Sequence, residues 1–468
     1  MSQIDQLSLR LGGISLITNE KAVRAKSRDF FWYSPVLKDA LDHVTAQAVV
    51  MAQTEDDVVR TLAACFELDI PVTPRGSGTG NYGQAMPIAG GVVLDTSLMN
   101  AITRIDDGVL ICGPGALMGD IETATLAATR QELRMHPSTR ETASIGGFIA
   151  GGSGGVGSVR WGMLHEPGNI RSVRVATMEA RPRLIDLTGL DINNVHHAYG
   201  VTGVITEVEM PLVKAENWVE VLLTFDDWQA CVAAGWDILD DPDVILKQLA
   251  AIQTPAPYCY FVRHRKFLQE NSSLLCVLVA DRWIESFLAL TAGRCVYRSD
   301  TASDDDKKRL PHLHHLCWNH TTLRALKIDP EVTYLQLGTR DGDEVNSITD
   351  VAKMFPDEII NHVEFTRSQG KARASMLPLL RYHSKLRMDM IVAQLADIGI
   401  LNWNPHAYTL EEGNHRNPDP SQIALKREND PKGLLNPGKL IGWDNPDYIY
   451  DMKGGYHAPQ MQVKPCVP

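Results

Sequence analysis

Two stretches of this chain are so rich in glycine that they limit the folds open to it. Residues 74–85 read PRGSGTGNYGQA, and residues 136–168 read HPSTRETASIGGFIAGGSGGVGSVRWGMLHEPG. Glycine gives up more conformational entropy on folding than any other residue and buries little apolar surface. A stable domain carries so much of it where backbone must lie close against something. Gly78, Gly80 and Gly83 have the spacing G-x-G-x-x-G. A Rossmann fingerprint needs a strand before that spacing and a helix after it, because the helix N-terminus receives the pyrophosphate. IPVTP supplies the strand. QAMPIAGG follows, and its Pro87, Gly90 and Gly91 would break a helix before VVLD begins a new strand. Asp95 also comes earlier than the ~20-residue offset expected of the acidic partner. Two readings stay open for the first stretch: a glycine hairpin without a ligand, and a loop whose successive N–H groups converge on an anion. The second cluster, about 60 residues on, favours one site that grips a dinucleotide at two places.

The rest of the chain bounds the class of protein. Its 468 residues allow a large core and more than one domain. No window reaches the roughly 18 uninterrupted apolar residues of a membrane helix. MSQIDQLSLRLGG lacks the basic start and apolar run of a secretory signal, so a cytoplasmic protein is expected. A net charge of −12 argues against a general nucleic-acid binder. The eight cysteines are scattered without a C-x-x-C pair, which points to reduced thiols.

Residues 46–72 read as strand, helix, strand, with Thr54 as the helix N-cap. GGVVLD, ITRID and GVLICGPG read as short strands, and a helix is predicted over about 118–129. RSVRVATME and GVITEVEMPLV read as further strands. From about residue 217 the strand-like runs WVEVLLTF, SSLLCVLVA and HVEFTR alternate with helical stretches around 227–240, 281–292 and 372–398. That pattern predicts a second α+β domain on an antiparallel sheet. DTASDDDKK, at 300–308, reads as a solvated loop.

PVTPRGSGTG, GGVVLDTSLMN, PSTRETASIGGFIAGGSGG, GVTGVITEVEM and GLLNPGKLIGW occur in this order. Together they resemble the vanillyl-alcohol oxidase / p-cresol methylhydroxylase family of FAD enzymes. The wording is most similar to the branch holding the glycolate oxidase flavin subunit and the D-lactate dehydrogenases. The resemblance covers roughly residues 40–212 and the last thirty. It implies an α+β protein: a two-subdomain FAD-binding domain over 1–213, a substrate (cap) domain over 214–430, and a C-terminal return to the flavin domain over 431–468. It implies that Arg75, Gly76, Ser77, Gly78, Thr79 and Gly80 form the loop over the FAD pyrophosphate. Pro137, Ser138, Ser144, Gly146 and Gly147 would run beside the ribityl chain and ring, and Gly151, Gly152 and Gly155 would continue that wall. Gly203 and Ile205 would meet the adenine by main chain, and Asn436 and Lys439 would return to the isoalloxazine. Some members attach FAD through a histidine in R-x-G-G-H; Thr79 stands at the matching position here, so non-covalent FAD is expected. The H-x-G-D-G-N-x-H cap motif of the branch, linked to a metal, is absent.

Oxidation by a flavin removes a hydride to N5 and needs a partner for the leaving proton. In NWNPHAYTLEEGN an extended chain would put Asn402, Asn404, His406 and Tyr408 on one face, with Pro405 marking an edge or an irregular strand. In IINHVEFTR, His362, Glu364 and Thr366 share one face and Val363 and Phe365 the other. His312, His314, His315 and His320 are dense, but their spacing matches no standard metal signature, so no metal is expected; His320 fits a helix start facing the pocket. Tyr334 and Gln336 would share a strand face. Arg140, Arg263 and Arg381 are possible carboxylate clamps, none singled out by its neighbours.

The expectation is an FAD-dependent oxidoreductase of a small alcohol, a 2-hydroxy acid above all. It would pass electrons to oxygen, a quinone or a carrier protein, with homo-oligomerisation open. The alternatives are oxidation of a non-acidic or secondary-metabolite alcohol, or a flavin subunit inactive without a redox partner.

Overall fold

A computed structural model describes residues 1–450 apart from Ser153. The chain is α+β and builds three sheets of four or more strands. The first has the order Ser15–Ile17, Ala48–Met51, Val92–Asp95, Val72–Arg75, and its last three strands are parallel. The helix Glu55–Glu67 makes the crossover between two of them. Thr54 caps it, and Asp57 reaches back to the cap's own backbone N–H. Its Val58, Leu62 and Cys65 are fully buried, as the helical spacing requires.

The second sheet runs Ile102–Asp106, Val109–Cys112, Val204–Lys214, Ser172–Ala176, Leu184–Thr188, with Gln131–Leu133 on the far end of the long strand. The predicted helix over 118–129 forms as Met118–Thr129. The third sheet has eight strands, all antiparallel to their neighbours. Its centre is Trp218–Phe225, Ser273–Ala280, Leu246–Ile252 and His362–Ser368. Helices Trp228–Asp240 and Glu344–Met354 cover one face, where Val221, Leu223, Val363 and Phe365 enter the core. The opposite face carries Leu222, Ala250, Cys276 and, from His362–Ser368, the polar alternates His362 and Glu364.

Three expectations change. Residues 372–384 are not helical: Gln369 and Gly370, both at positive φ, turn Lys371–Met376 back onto His362–Ser368. The two-residue hairpin and its ladder override the helix preference of Lys, Ala and Arg. A helix begins only at Lys385 and ends at Asp397. Residues 304–309 form a short exposed helix rather than a loop, capped by Ser303, with acids in its first turn and bases in its last. The extended reading of 402–408 stops at Trp403, where Pro405 ends the strand. Leu410, Ile423 and Leu440, from both sides of residue 431, share one core with Ala198. Leu435 bridges to Val72 and extends the first sheet. The remainder of the predicted return, 451–468, lies outside the described residues.

A buried ion pair fastens the cap sheet to the flavin domain. Lys247 pairs with Glu132, whose carboxylate also accepts from Trp218 Nε1 at 3.0 and 3.1 Å. Both charged side chains are 5% exposed, so removing one charge strands the other. Glu132→Gln should therefore lower folding stability by about 3 kcal/mol, read from urea denaturation, whereas Glu67→Gln on the exposed surface should change it little.

Candidate functional site

The two glycine stretches meet. Ser77 N donates to Ser144 Oγ at 3.2 Å, and a Cβ on Gly76 would overlap that same hydroxyl. Below the first stretch the Arg75 guanidinium donates to Arg28 O at 2.6 Å and Ser77 O at 3.3 Å, and lies 3.8 Å from the fully buried Asp95. Gly78, at φ +67°, lets the loop close over that side chain. The arginine is thus consumed inside the loop. Among the described residues, the N–H groups of Gly76, Gly78, Thr79, Gly80 and Gly147 donate to no protein acceptor. Residues 76–80 are half-buried and Gly147 is exposed, so these unpaired backbone donors meet water or a ligand. Unpaired donors on two segments that touch at Gly76, Ser77 and Ser144 suit an anion such as a pyrophosphate.

The second stretch follows the same logic. Val156 pairs with His136, and a Cβ on Gly155 would overlap the His136 carbonyl, so this glycine serves a close backbone approach. Pro137 and Ser138 come next, and Pro137 O accepts from His136 Nδ1 at 2.9 Å. The helix Ile145–Gly151 carries Gly146, Gly147 and Gly151, and Gly152 ends it. Gly203 precedes the strand Val204–Lys214, and the Ile205 side chain enters the core of the second sheet.

From the C-terminal side, Asn436 Nδ2 donates to Gln84 O at 3.0 Å and Tyr199 O at 2.7 Å. Lys439 Nζ donates to Gly83 O at 2.5 Å and sits over the Tyr408 ring. Burial pushes the Lys439 pKa down to about 7, with Asp29 opposing the shift. Burial raises the Asp29 carboxyl to about 6. Asn436 and Lys439 therefore brace the exit of the first glycine loop.

The cap closes on that exit. Asn81 Nδ2 donates to the Tyr334 hydroxyl at 2.7 Å, Asn319 Nδ2 donates to Asn81 Oδ1 at 3.3 Å, and Gln336 Nε2 donates to the Tyr82 hydroxyl. Tyr334 and Gln336 belong to different sheets, with Leu335 between them, yet both reach the segment Asn81–Tyr82. Burial raises the pKa of both tyrosines, which keeps them protonated. His320 lies in the first turn of the helix Asn319–Leu326, with a buried Nδ1 that has no partner among the described residues. Burial pushes its pKa down to about 3, so it is neutral.

His406, Glu364, Arg140 and Arg381 have occupied side chains. His406 Nε2–H donates to Tyr334 O at 2.9 Å, and the Ser34 hydroxyl donates to its Nδ1 at 2.8 Å. That arrangement makes His406 a positioning residue for Tyr334. Glu364 accepts from Trp318 N at 2.6 Å and from His362 Nε2–H at 2.7 Å, both deep under the sheet. It holds Trp318, at φ +52°, next to Gly154. Arg140 pairs with Glu122 and Glu141, and Arg381 with Asp329 and Glu331, while Arg263 is exposed. Sequence reasoning passed over Asn81, Tyr82, Trp318 and Arg324. The Arg324 Nε donates to His315 O at 3.1 Å, and among the described residues its guanidinium meets no carboxylate. Asn81 and Tyr82 could have been noticed, as polar residues directly behind the glycines; Trp318 and Arg324 carry no local signal.

A family model described as an FAD binding domain matches residues 46–183. This chain carries a PCMH-type FAD-binding domain. FAD is its cofactor, and the free N–H cradle fits it. The D-lactate dehydrogenase of Archaeoglobus fulgidus is 32% identical over 200 residues, covering 39% of this chain and 43% of that protein. The glycolate oxidase subunit GlcD of Bacillus subtilis is 28% identical over 204 residues, covering 41% and 42%. An FAD-linked oxidoreductase of Mycobacterium tuberculosis is 28% identical over 204 residues, covering 41% and 44%. The match thus spans less than half the length of these relatives. The fold as a whole is that of alkyldihydroxyacetonephosphate synthase, with a TM-score of 0.69 and 16% identity over 93% of this chain and 84% of that one. Among the described residues no helix is long and apolar enough to cross a membrane.

Gly76→Ala places a methyl group where the two FAD-domain segments touch. Flavin absorbance per purified chain should fall at least about tenfold, because the cradle donors splay. Gly90→Ala, where φ is positive but nothing lies within 4 Å, controls for backbone destabilisation away from the cradle and should keep its flavin.

Proposed function

We propose that the protein is an FAD-dependent oxidoreductase that oxidises a small hydroxyl-bearing substrate of the 2-hydroxy acid class at the seam between cap and flavin domain. The observation that carries this reading is the polar cluster Asn81, Tyr82, Asn319, Tyr334 and Gln336, which joins the first glycine loop to the cap. The names of the relatives, D-lactate dehydrogenase and glycolate oxidase subunit, support the substrate class.

Bound FAD supplies a two-electron acceptor. The N–H groups of Gly76, Gly78, Thr79, Gly80 and Gly147 would take its pyrophosphate. Pro137, Ser138, Gly151, Gly152 and Gly155 would line its ring, and the main chain at Gly203 and Ile205 would meet its adenine. Thr79 offers no imidazole for a covalent bond, so the cofactor is held non-covalently. Tyr82, kept protonated by burial, donates to the substrate oxygen. Neutral His320 receives the hydroxyl proton at Nδ1. Arg324 clamps the carboxylate with its free guanidinium edge. His406 fixes Tyr334, Glu364 and His362 fix Trp318, and Tyr408 shields Lys439.

Anaerobic addition of D-2-hydroxy acids, one at a time, should bleach the flavin absorbance of the full chain with at least one of them. Arg324→Ala should raise the acid concentration needed by about 10- to 100-fold, the value of a charge-assisted hydrogen bond. His320→Ala should slow bleaching by about 10²-fold or more at saturating acid. Bleaching by neutral alcohols, with none by the acids, would overturn the substrate class.

A further inference from the structure

We infer that Glu141, His314 and His315 form a divalent transition-metal site, selective for Zn²⁺ over the hard cations, that ties the cap to the FAD-binding domain. His314 Nε2 lies 3.2 Å from Glu141 Oε1, and His315 Nε2 lies 2.8 Å from Oε2. One ligand atom from each of the three residues falls within 4.8 Å of the others. Zinc bonds of about 2.0–2.1 Å in a tetrahedron space their ligand atoms by roughly 3.3 Å, so small side-chain movements suffice to admit an ion. Two imidazoles and one carboxylate are a borderline-soft donor set, which suits zinc and disfavours magnesium or calcium.

The surroundings supply a charge balance and a second shell. Two cations oppose an ion here: the Arg140 guanidinium stands 3.1 Å from Glu141 Oε1, and Arg324 donates to the backbone carbonyl of His315 at 3.1 Å. Glu122 neutralises Arg140 at 2.5 Å, which leaves Glu141 Oε2 to face the ion. The His320 ring packs against His315 with ring centroids 5.3 Å apart. His136 packs edge-on against His314 at 5.4 Å and bonds Pro137 O, linking the cluster to the flavin wall. Glu141 is exposed and His315 half-buried, so the ion has a way in. The carboxylate comes from the flavin domain and the imidazoles from the cap, more than 170 residues later. This separation is why the H-x-H-H spacing matches no local signature.

The test uses the full chain with its FAD, stripped with a chelator, dialysed, and titrated with Zn²⁺ by calorimetry, with bound metal counted by mass spectrometry. The wild type should take up about one equivalent with a sub-micromolar Kd, and Glu141→Gln and His315→Ala should each weaken binding by about 100-fold or more. Zinc should raise the thermal midpoint of the wild type and leave both variants unmoved. Glu141→Gln is isosteric, and unchanged flavin absorbance reports that each variant is folded. Absence of stoichiometric binding to the wild type, or equal binding by the folded variants, would overturn the site. Either result leaves the flavin reading untouched, because none of these readouts is turnover.

Discussion

Everything in this molecule depends on the contact between two glycine-bearing segments that cannot tolerate a side chain between them. Gly76 lies against Ser144, Ser77 bonds the same hydroxyl, and backbone donors of both segments have no partner among the described residues. The protein leaves backbone N–H groups without partners at that junction, an arrangement that costs stability until an anion or water meets them. The first sheet delivers one segment, the second sheet delivers the other, and a single bridge from Leu435 ties off the edge next to Val72.

The cap is attached to this junction at several places of different chemistry. A buried ion pair joins Lys247 to Glu132, Gly157 N donates to Lys247 O at 2.7 Å, and Asn81 joins the glycine loop to Tyr334. Several non-glycine residues at left-handed φ cluster here: Tyr199, Trp318 and Asn436. Each is held by neighbours. Tyr199 N donates to Ala150 O, Glu364 takes the Trp318 N–H, and Asn436 donates to Gln84 O and Tyr199 O. Strain of this kind persists only where surrounding contacts over-determine the backbone, and it gathers where a site must keep its shape.

Much of the flavin domain was legible in the sequence because its signals are local. Thr54 with Asp57 marks a helix start, the run Met118–Thr129 reads as a helix, and the glycines mark where backbones touch. The cap was less legible because its chemistry is assembled from distant pieces. Lys371–Met376 has helix-forming residues and becomes a strand through its hairpin partner. His406 looked reactive from its polar neighbours, but Ser34, 372 residues away, occupies its second nitrogen. Tyr334 and Gln336 converge on Asn81–Tyr82 from separate sheets, and no local period encodes that meeting.

The most direct measurement is the flavin content of the purified full chain, with the protein heat-precipitated and the supernatant and pellet analysed separately. The cradle of free N–H groups, with Thr79 where a covalent anchor would need histidine, predicts about one FAD per chain, all of it in the supernatant. A chain that carries no flavin and takes up none from added FAD would contradict the account at its centre, and flavin retained in the pellet would contradict its non-covalent attachment.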